Sequence, residues 1–253
     1  MRNYLLFFLA LFMMLSCEKE HRLDCFKSAG KVVSKWYDLE SFSGLHVRDK
    51  MEIELVYSPG EKPKMELLFN ENLHHGISKE VKGGVLLIED RNRCNFVRSF
   101  KHKPIIRLYV NESLNSLTVE GAAKVFNRDS LRMQNLYITH TGVEDIELQV
   151  WGVYGMECNG FNSGGFKIKG FAGYIASTLD DISVLDIRDL ILDDLYLFSY
   201  SLKSSHVRAR DKMEIKLYGK GSVYLVSLPN DTQRDRCCNI MLEKFGEGSF
   251  IYP

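Results

Sequence analysis

The chain has 253 residues with 33 basic and 33 acidic side chains, so its formal net charge is zero. That balance excludes a general electrostatic attraction to nucleic acid or to anionic lipid. An apolar fraction of 45% is enough for a sizeable core.

The first element is a leader, "MRNYLLFFLALFMMLSC". One early positive charge, Arg2, precedes eleven apolar residues, Leu5 to Leu15. As a helix that run is about 16 Å long, short of a bilayer core, so it predicts a secretory signal over 1–16. Ser16 before Cys17 resembles the loose lipobox of Bacteroidota lipoproteins, and Glu18-Lys19-Glu20 resembles their surface-export signal. The expectation is a chain anchored to the membrane through acylated Cys17, with residues 17–24 as a tether and 25–253 as one domain. An ordinary secretory leader with Cys17 incidental is the plainer alternative.

Five other cysteines follow. In an exported protein a disulfide is expected. Cys25 in "DCFKSAG" and Cys94 in "RNRCNF" both sit in polar, loop-like sequence and are the preferred pair. Cys158 lies in an alternating apolar run, which predicts a buried free thiol. Cys237-Cys238 stays open.

Next comes "LHVRDKMEIEL", whose hexapeptide "RDKMEI" at 48–53 returns unchanged at 210–215 in "VRARDKMEIKLYGKGSVYL". Leu45, Val47, Met51, Ile53 and Leu55 alternate with polar residues. So do Val207, Ala209, Asp211, Met213, Ile215 and Leu217. Period two predicts strands with one buried face. Between 56 and 110 the pattern loosens: Met65, Leu67 and Phe69, then Val85, Leu87 and Val81, with turns at Pro59-Gly60 and Gly83-Gly84. "IIRLYV" at 105–110 is expected to start the repeating region.

From 117 a template recurs, with apolar slots before a glycine and one after it. Leu117, Val119, Gly121 and Val125 fit, as do Ile138, His140, Gly142 and Ile146. Met156, Cys158, Gly160 and Gly164 follow, then Tyr174, Ala176, Thr178 and Ile182. Ser199, Ser201, Lys203 and Val207 come next, then Ile215, Leu217, Gly219 and Val223. The step is about 20 residues, as in solenoid coils. Stacked ~4.8 Å apart, such strands would share hydrogen bonds and an apolar column, with glycine supplying positive φ at the bend. The predicted fold is all-β, a right-handed parallel β-helix-like solenoid. An antiparallel β-sandwich with glycine-centred hairpins is the alternative.

Chemistry-bearing residues are few. Asp180-Asp181 and Asp193-Asp194, with Asp186 and Asp189 between them, could serve a polysaccharide lyase or hydrolase if they converged in one cleft. Otherwise they are solvated corner residues. His74, His75 and His102 lack metal-ligand spacing, and neither a metal nor a cofactor is expected. His140 falls on an inward slot and predicts a hydrogen-bonded core residue. The basic run Arg91, Arg93, Arg98, Lys101, Lys103 and Arg107, with Phe96 and Phe100 among it, could bind a sulfated or phosphorylated polymer, or be a solvated loop. Asp129-Ser130-Leu131 resembles a Bacteroidota O-glycosylation tripeptide. No phosphate-cradling loop or nucleophile elbow occurs.

"FSGLHVRDKMEIELVYSPGE", "KGGVLLIEDRNRCNFVRS", "IIRLYV" and the glycine-centred rungs together resemble the putative auto-transporter adhesin, head GIN domain family. The resemblance implies a β-helix-like solenoid and adhesion, with no catalytic residues to carry over. Thr178 and Lys203 depart from the glycine pattern. The expected function is a noncatalytic outer-membrane lipoprotein on the cell surface, or on the periplasmic face. Its partners would be a glycan, a host protein or another envelope protein, or a second copy through an uncapped end.

Overall fold

A computed structural model describes residues 28–92, 103–226 and 239–252. The protein is all-β, 58% strand with almost no helix, and 19 strands join in one curled, open sheet.

The first seven strands are β1 (Val32–Asp38), β2 (Gly44–Val47), β3 (Glu52–Tyr57), β4 (Lys64–Asn70), β5 (Ile77–Lys82), β6 (Val85–Asp90) and β7 (Ile105–Val110). β5 and β6 form an antiparallel hairpin across Gly83-Gly84, both at positive φ (59° and 78°). That is the two-residue turn whose twist suits a hairpin. β4 pairs antiparallel with β7 on one side and with β1 on the other.

The remaining strands are β8 (Ser116–Val119), β9 (Lys124–Asn127), β10 (Asn135–His140), β11 (Ile146–Gly160), β12 (Phe166–Leu179) and β13 (Leu185–Asp186). They continue with β14 (Leu190–Ser199), β15 (Ser205–Val207), β16 (Lys212–Leu217), β17 (Val223–Leu225), β18 (Asn239–Lys244) and β19 (Phe250–Ile251). Every pair formed by these strands is parallel, so the antiparallel sandwich is not the arrangement adopted. Two long rows result. In the first, Leu45, Leu117, Ile138, Cys158, Ser177, Leu197 and Ile215 lie side by side. From Leu117 onward, their numbers advance by 21, 20, 19, 20 and 18 residues. In the second row, Ile53, Val125, Ile146, Phe166 and Leu185 align. These side chains are buried and form one continuous core.

Several expectations need correcting. "IIRLYV" does not precede the first rung in space: β7 pairs with β3 and β4, while β8 pairs with β2. The segment 44–57 therefore lies between the strands of 85–110 and those of 116–127, because β2 and β3 each accept a parallel neighbour on both edges. The register drawn from glycine is right at 117, 138 and 215 and slips in the rungs between. Ile138 faces Cys158 rather than Met156. Phe166 fills the inward position given to Gly164. Ile175, Ser177 and Leu179 point inward instead of Tyr174, Ala176 and Thr178, a one-residue slip that exchanges the two faces. The same slip occurs at 85–88, where Leu86 and Ile88 are the buried residues.

The glycine slot also has a different cause. Of Gly121, Gly142 and Gly219, four residues past Leu117, Ile138 and Ile215 of the first row, Gly121 alone has positive φ (69°). At Gly142 an added Cβ would lie 2.7 Å from the Gly121 carbonyl oxygen, and at Gly219, 2.1 Å from that of Ser201. Close approach of the preceding turn excludes a side chain there. Asp181 and Ser201 occupy the slot in the coils where Thr178 and Lys203 were expected to replace glycine. Asp181 takes positive φ (52°).

The duplicated hexapeptide marks no equivalent positions. Ile53 belongs to the second row and Ile215 to the first. Asp49 has φ 70°, whereas Asp211 is not among the positive-φ residues and is exposed rather than inward. Neighbouring strands decided the outcome over local sequence.

Candidate functional site

The outer surface of β11 and β12, beginning beside Ile146 and Phe166 of the second row, carries three side-by-side columns. Strands β11 and β12 run through this region without interruption, so consecutive outward positions lie two residues, or about 7 Å, apart. The first column is Glu147, Lys167 and Asp186. The second is Gln149 and Lys169, with Asp189 placed beside Lys169 by the Gly170 N–H bond to its carbonyl (3.2 Å). The third is Trp151, Phe171 and Ile191.

The first two columns, with Asn127, line a depression of about 240 Å³. Its rim is fixed by hydrogen bonds. Asn127 Nδ2 donates to the Gln149 carbonyl (2.8 Å), and the Gln149 N–H donates to Asn127 Oδ1 (2.8 Å). Gln149 Nε2 donates to Ser130 Oγ (3.0 Å), which places the middle residue of the tripeptide 129–131 at this site. Lys167 Nζ lies 2.7 Å from Asp145 and 3.8 Å from Glu147, and the Asp145 carboxylate holds the ammonium above its ordinary value. Burial pushes the Asp186 carboxyl up, but two hydrogen bonds from the Arg188 guanidinium (2.8 and 2.6 Å) outweigh it and hold the group below the usual range. Asp186 is therefore an ionised hydrogen-bond acceptor at neutral pH, not a proton donor.

The third column is apolar and open. Trp151 is 52% exposed and Ile191 43%. Trp151 and Phe171 meet edge to face, centroids 6.2 Å apart. Gly152, at φ 74°, is the extra residue of a β-bulge between Trp151 and Val153. Bulges re-aim neighbouring side chains. Beyond it, Tyr154 and Tyr174 form a second edge-to-face pair at 5.7 Å. Another aromatic series, Tyr200, Tyr218 and Phe245, stacks nearly parallel at 4.6 and 4.8 Å at the end of the first row. There the rings cover one another's faces.

Of the residues singled out from sequence, Asp186 and Asp189 come together in this depression and the others are scattered. Asp180 and Asp181 sit past the end of the first-row strand in one coil, and Asp194 at the start of that strand in the next, opposite Tyr174. Six residues of strand, roughly 20 Å, separate the two levels, too far for a carboxylate pair acting on one bond. Asp193 is held by Arg210, and Asp180 Oδ1 accepts the Asp181 N–H (2.8 Å). Of the basic run, Arg91 lies on Glu89 and Glu80, Lys103 on Glu52 (3.4 Å), and Arg107 on Glu54 (3.2 Å) and Glu66 (3.0 Å). Arg93, Arg98, Lys101, Phe96, Phe100 and His102 lie outside the described residues, as do Cys17, Cys25, Cys94, Cys237 and Cys238.

Cys158 is a buried free thiol whose pKa is raised by burial. His140 is fully buried: Nε2 donates to the Glu144 carbonyl (2.7 Å) and Nδ1 accepts the Gly142 N–H (3.3 Å). His74 is buried with Nε2 on the Val33 and Phe69 carbonyls. Among the described residues, no three His, Cys, Asp or Glu side chains form a metal-binding group.

Fold and surface define an all-β protein whose strands join in one curled, open sheet with its side-chain chemistry on the outside. Solved structures share that fold. A putative adhesin from Bacteroides fragilis superposes with TM-score 0.75 at 19% identity, covering 88% of this chain and 97% of that one. A putative adhesin from Parabacteroides distasonis gives 0.62 at 16% identity, covering 88% and 98%. A protein of that species titled putative lipid binding protein gives 0.59 at 16%, covering 88% and 97%. No curated protein matches the chain. Residues 41–229 match the family described as "Putative auto-transporter adhesin, head GIN domain", and the chain belongs to that family.

Proposed function

We propose that this is a noncatalytic binding module of the cell surface, an adhesin held to the outer membrane by acylated Cys17. In this reading the parallel rows form a right-handed solenoid, and its outer face is the binding surface. One observation carries the proposal: side chains of like character recur in register on successive strands, giving a surface that extends along the stack instead of closing into a cleft. Solenoids use such extended surfaces for recognition. Asp180, Asp186 and Asp193 lie in corner bonds and ion pairs, and Asp194 is about 20 Å from the Asp180-Asp181 level, which argues against a hydrolase or lyase. Membership of an adhesin family supports the same reading.

Palmitate labelling of cells expressing the chain tests the anchor. Wild type should take up label and Cys17→Ala should not; equal labelling would remove the anchor. Beads coated with the purified chain should adhere to mucin above the level of albumin-coated beads. Adhesion equal to albumin would contradict the binding role.

A further inference from the structure

We infer that the three-column face binds a neutral, extended glycan lying along the stack, with one sugar unit to each coil. This deepens the binding reading above and rests on it. Three properties of the face point to that occupant.

The first is composition. A sugar ring offers hydroxyl groups at its rim and an apolar C–H face. The surface offers Gln149, Lys169 and Asp189 in one column as donors and acceptors, and Trp151, Phe171 and Ile191 in the next as apolar cover. A protein partner would be expected to meet an apolar centre within a polar rim. Here polar and apolar side chains form parallel stripes.

The second is spacing. Adjacent strands stand ~4.8 Å apart, close to the advance per unit of an extended β-linked pyranose chain. A polymer along the stack meets the same pair of side-chain types at each unit. Across the strands it would meet them once.

The third is charge. Glu147, Asp186 and Asp189 stand against Lys167 and Lys169, so the depression has no excess of positive charge. Lys167 is engaged by Asp145. A sulfated or uronate polymer would bring its anions against three carboxylates, whereas uncharged hydroxyls can donate to those same oxygens.

The test uses the full chain in a polyoxyethylene detergent, which carries no sugar headgroup. Binding of neutral β-1,4-linked oligosaccharides of two to six units is measured by calorimetry, with panels built from glucose, N-acetylglucosamine and xylose. Affinity for at least one panel should rise from two units to three and flatten beyond, because the apolar column spans three coils. Trp151→Ala should weaken binding about tenfold, as for a large, exposed aromatic contact. Ile191→Ser and Lys169→Ala should weaken it by roughly three- to fivefold, and Tyr218→Ala, on the other aromatic series, should leave it unchanged. Thermal melts confirm that each variant is folded; Ile191 and Lys169 are exposed, so their variants report even if Trp151→Ala does not fold.

A heparin-derived hexasaccharide binding more tightly than every neutral hexasaccharide would overturn the inference. So would equal adhesion of wild-type and Ile191→Ser beads to mucin with no oligosaccharide bound; that outcome leaves the adhesin reading intact. Failure of wild-type beads to adhere, with no oligosaccharide bound, sinks both.

Discussion

Strands β4 to β6 and strands β8 to β19 solve the same problem with different contacts. In the first group a hairpin sets the register: Lys82 faces Val85 across two glycines, and the rest of the β5–β6 pair follows. In the second, a strand finds its partner 18 to 27 residues away, and the register is held by buried columns such as Leu117, Ile138, Cys158 and Ser177. The hairpin tolerates local error because its turn projects into solvent. The stacked strands do not, since each turn leans on the backbone of the one before.

Two glycines break this comparison most sharply. Gly170 has φ 108°, and an added Cβ would fall 1.9 Å from the Val150 carbonyl oxygen. Gly83 has φ 59° with nothing within 4 Å of the added atom. Gly170→Ala is expected to lose at least about 3 kcal/mol by combined overpacking and backbone strain, or to fail to fold. Gly83→Ala should cost only about 1–2 kcal/mol. Urea unfolding of the two variants checks the ranking; equal midpoints would contradict it.

Phe166 lies in the second row between Ile146 and Leu185, fully buried and edge-on to His140 at 5.8 Å. Phe166→Ala should cost about 3–5 kcal/mol in the same assay. His140 then supplies a smaller effect with a sign. Burial holds its pKa below the ordinary 6.5. The unfolded chain takes up a proton below about pH 6.5 while the folded chain does not, so stability is full above that pH and falls as pH drops toward the folded value. The urea midpoint of wild type should therefore decline between pH 7 and 5. His140→Leu should be less stable at pH 7, leaving the Glu144 carbonyl without its partner, and should show a flatter profile. Parallel profiles would contradict the assignment. Tyr218→Ala removes two ring contacts and should cost about 1–3 kcal/mol at neutral pH, at roughly 0.5–1.5 kcal/mol per pair.

The same contrast explains what could be read from residues alone. Alternation at 105–110, 116–119, 135–140 and 212–217 follows directly from burial on one face, and the buried state of His140 and Cys158 follows with it. Glycine misled the register because it marks where backbones touch, and turns of different length shift it relative to the inward residues. "RDKMEI" misled because a hexapeptide carries too little information to select a row when its neighbours differ. The position of β7 was hidden because stacking order need not follow chain order. The candidate face did leave a trace. Glu147 and Lys167, Gln149 and Lys169, and Trp151, Phe171 and Ile191 each recur at intervals of twenty. That signal lies in outward residues, and a template built on inward ones passes over it.

Hydrogen–deuterium exchange on the full chain, with and without a saturating neutral hexasaccharide that binds it, tests the central claim most directly. Slower exchange confined to 147–151, 167–171 and 186–191 is the predicted footprint. Protection centred on Tyr200, Tyr218 and Phe245, with those three segments unchanged, would contradict it.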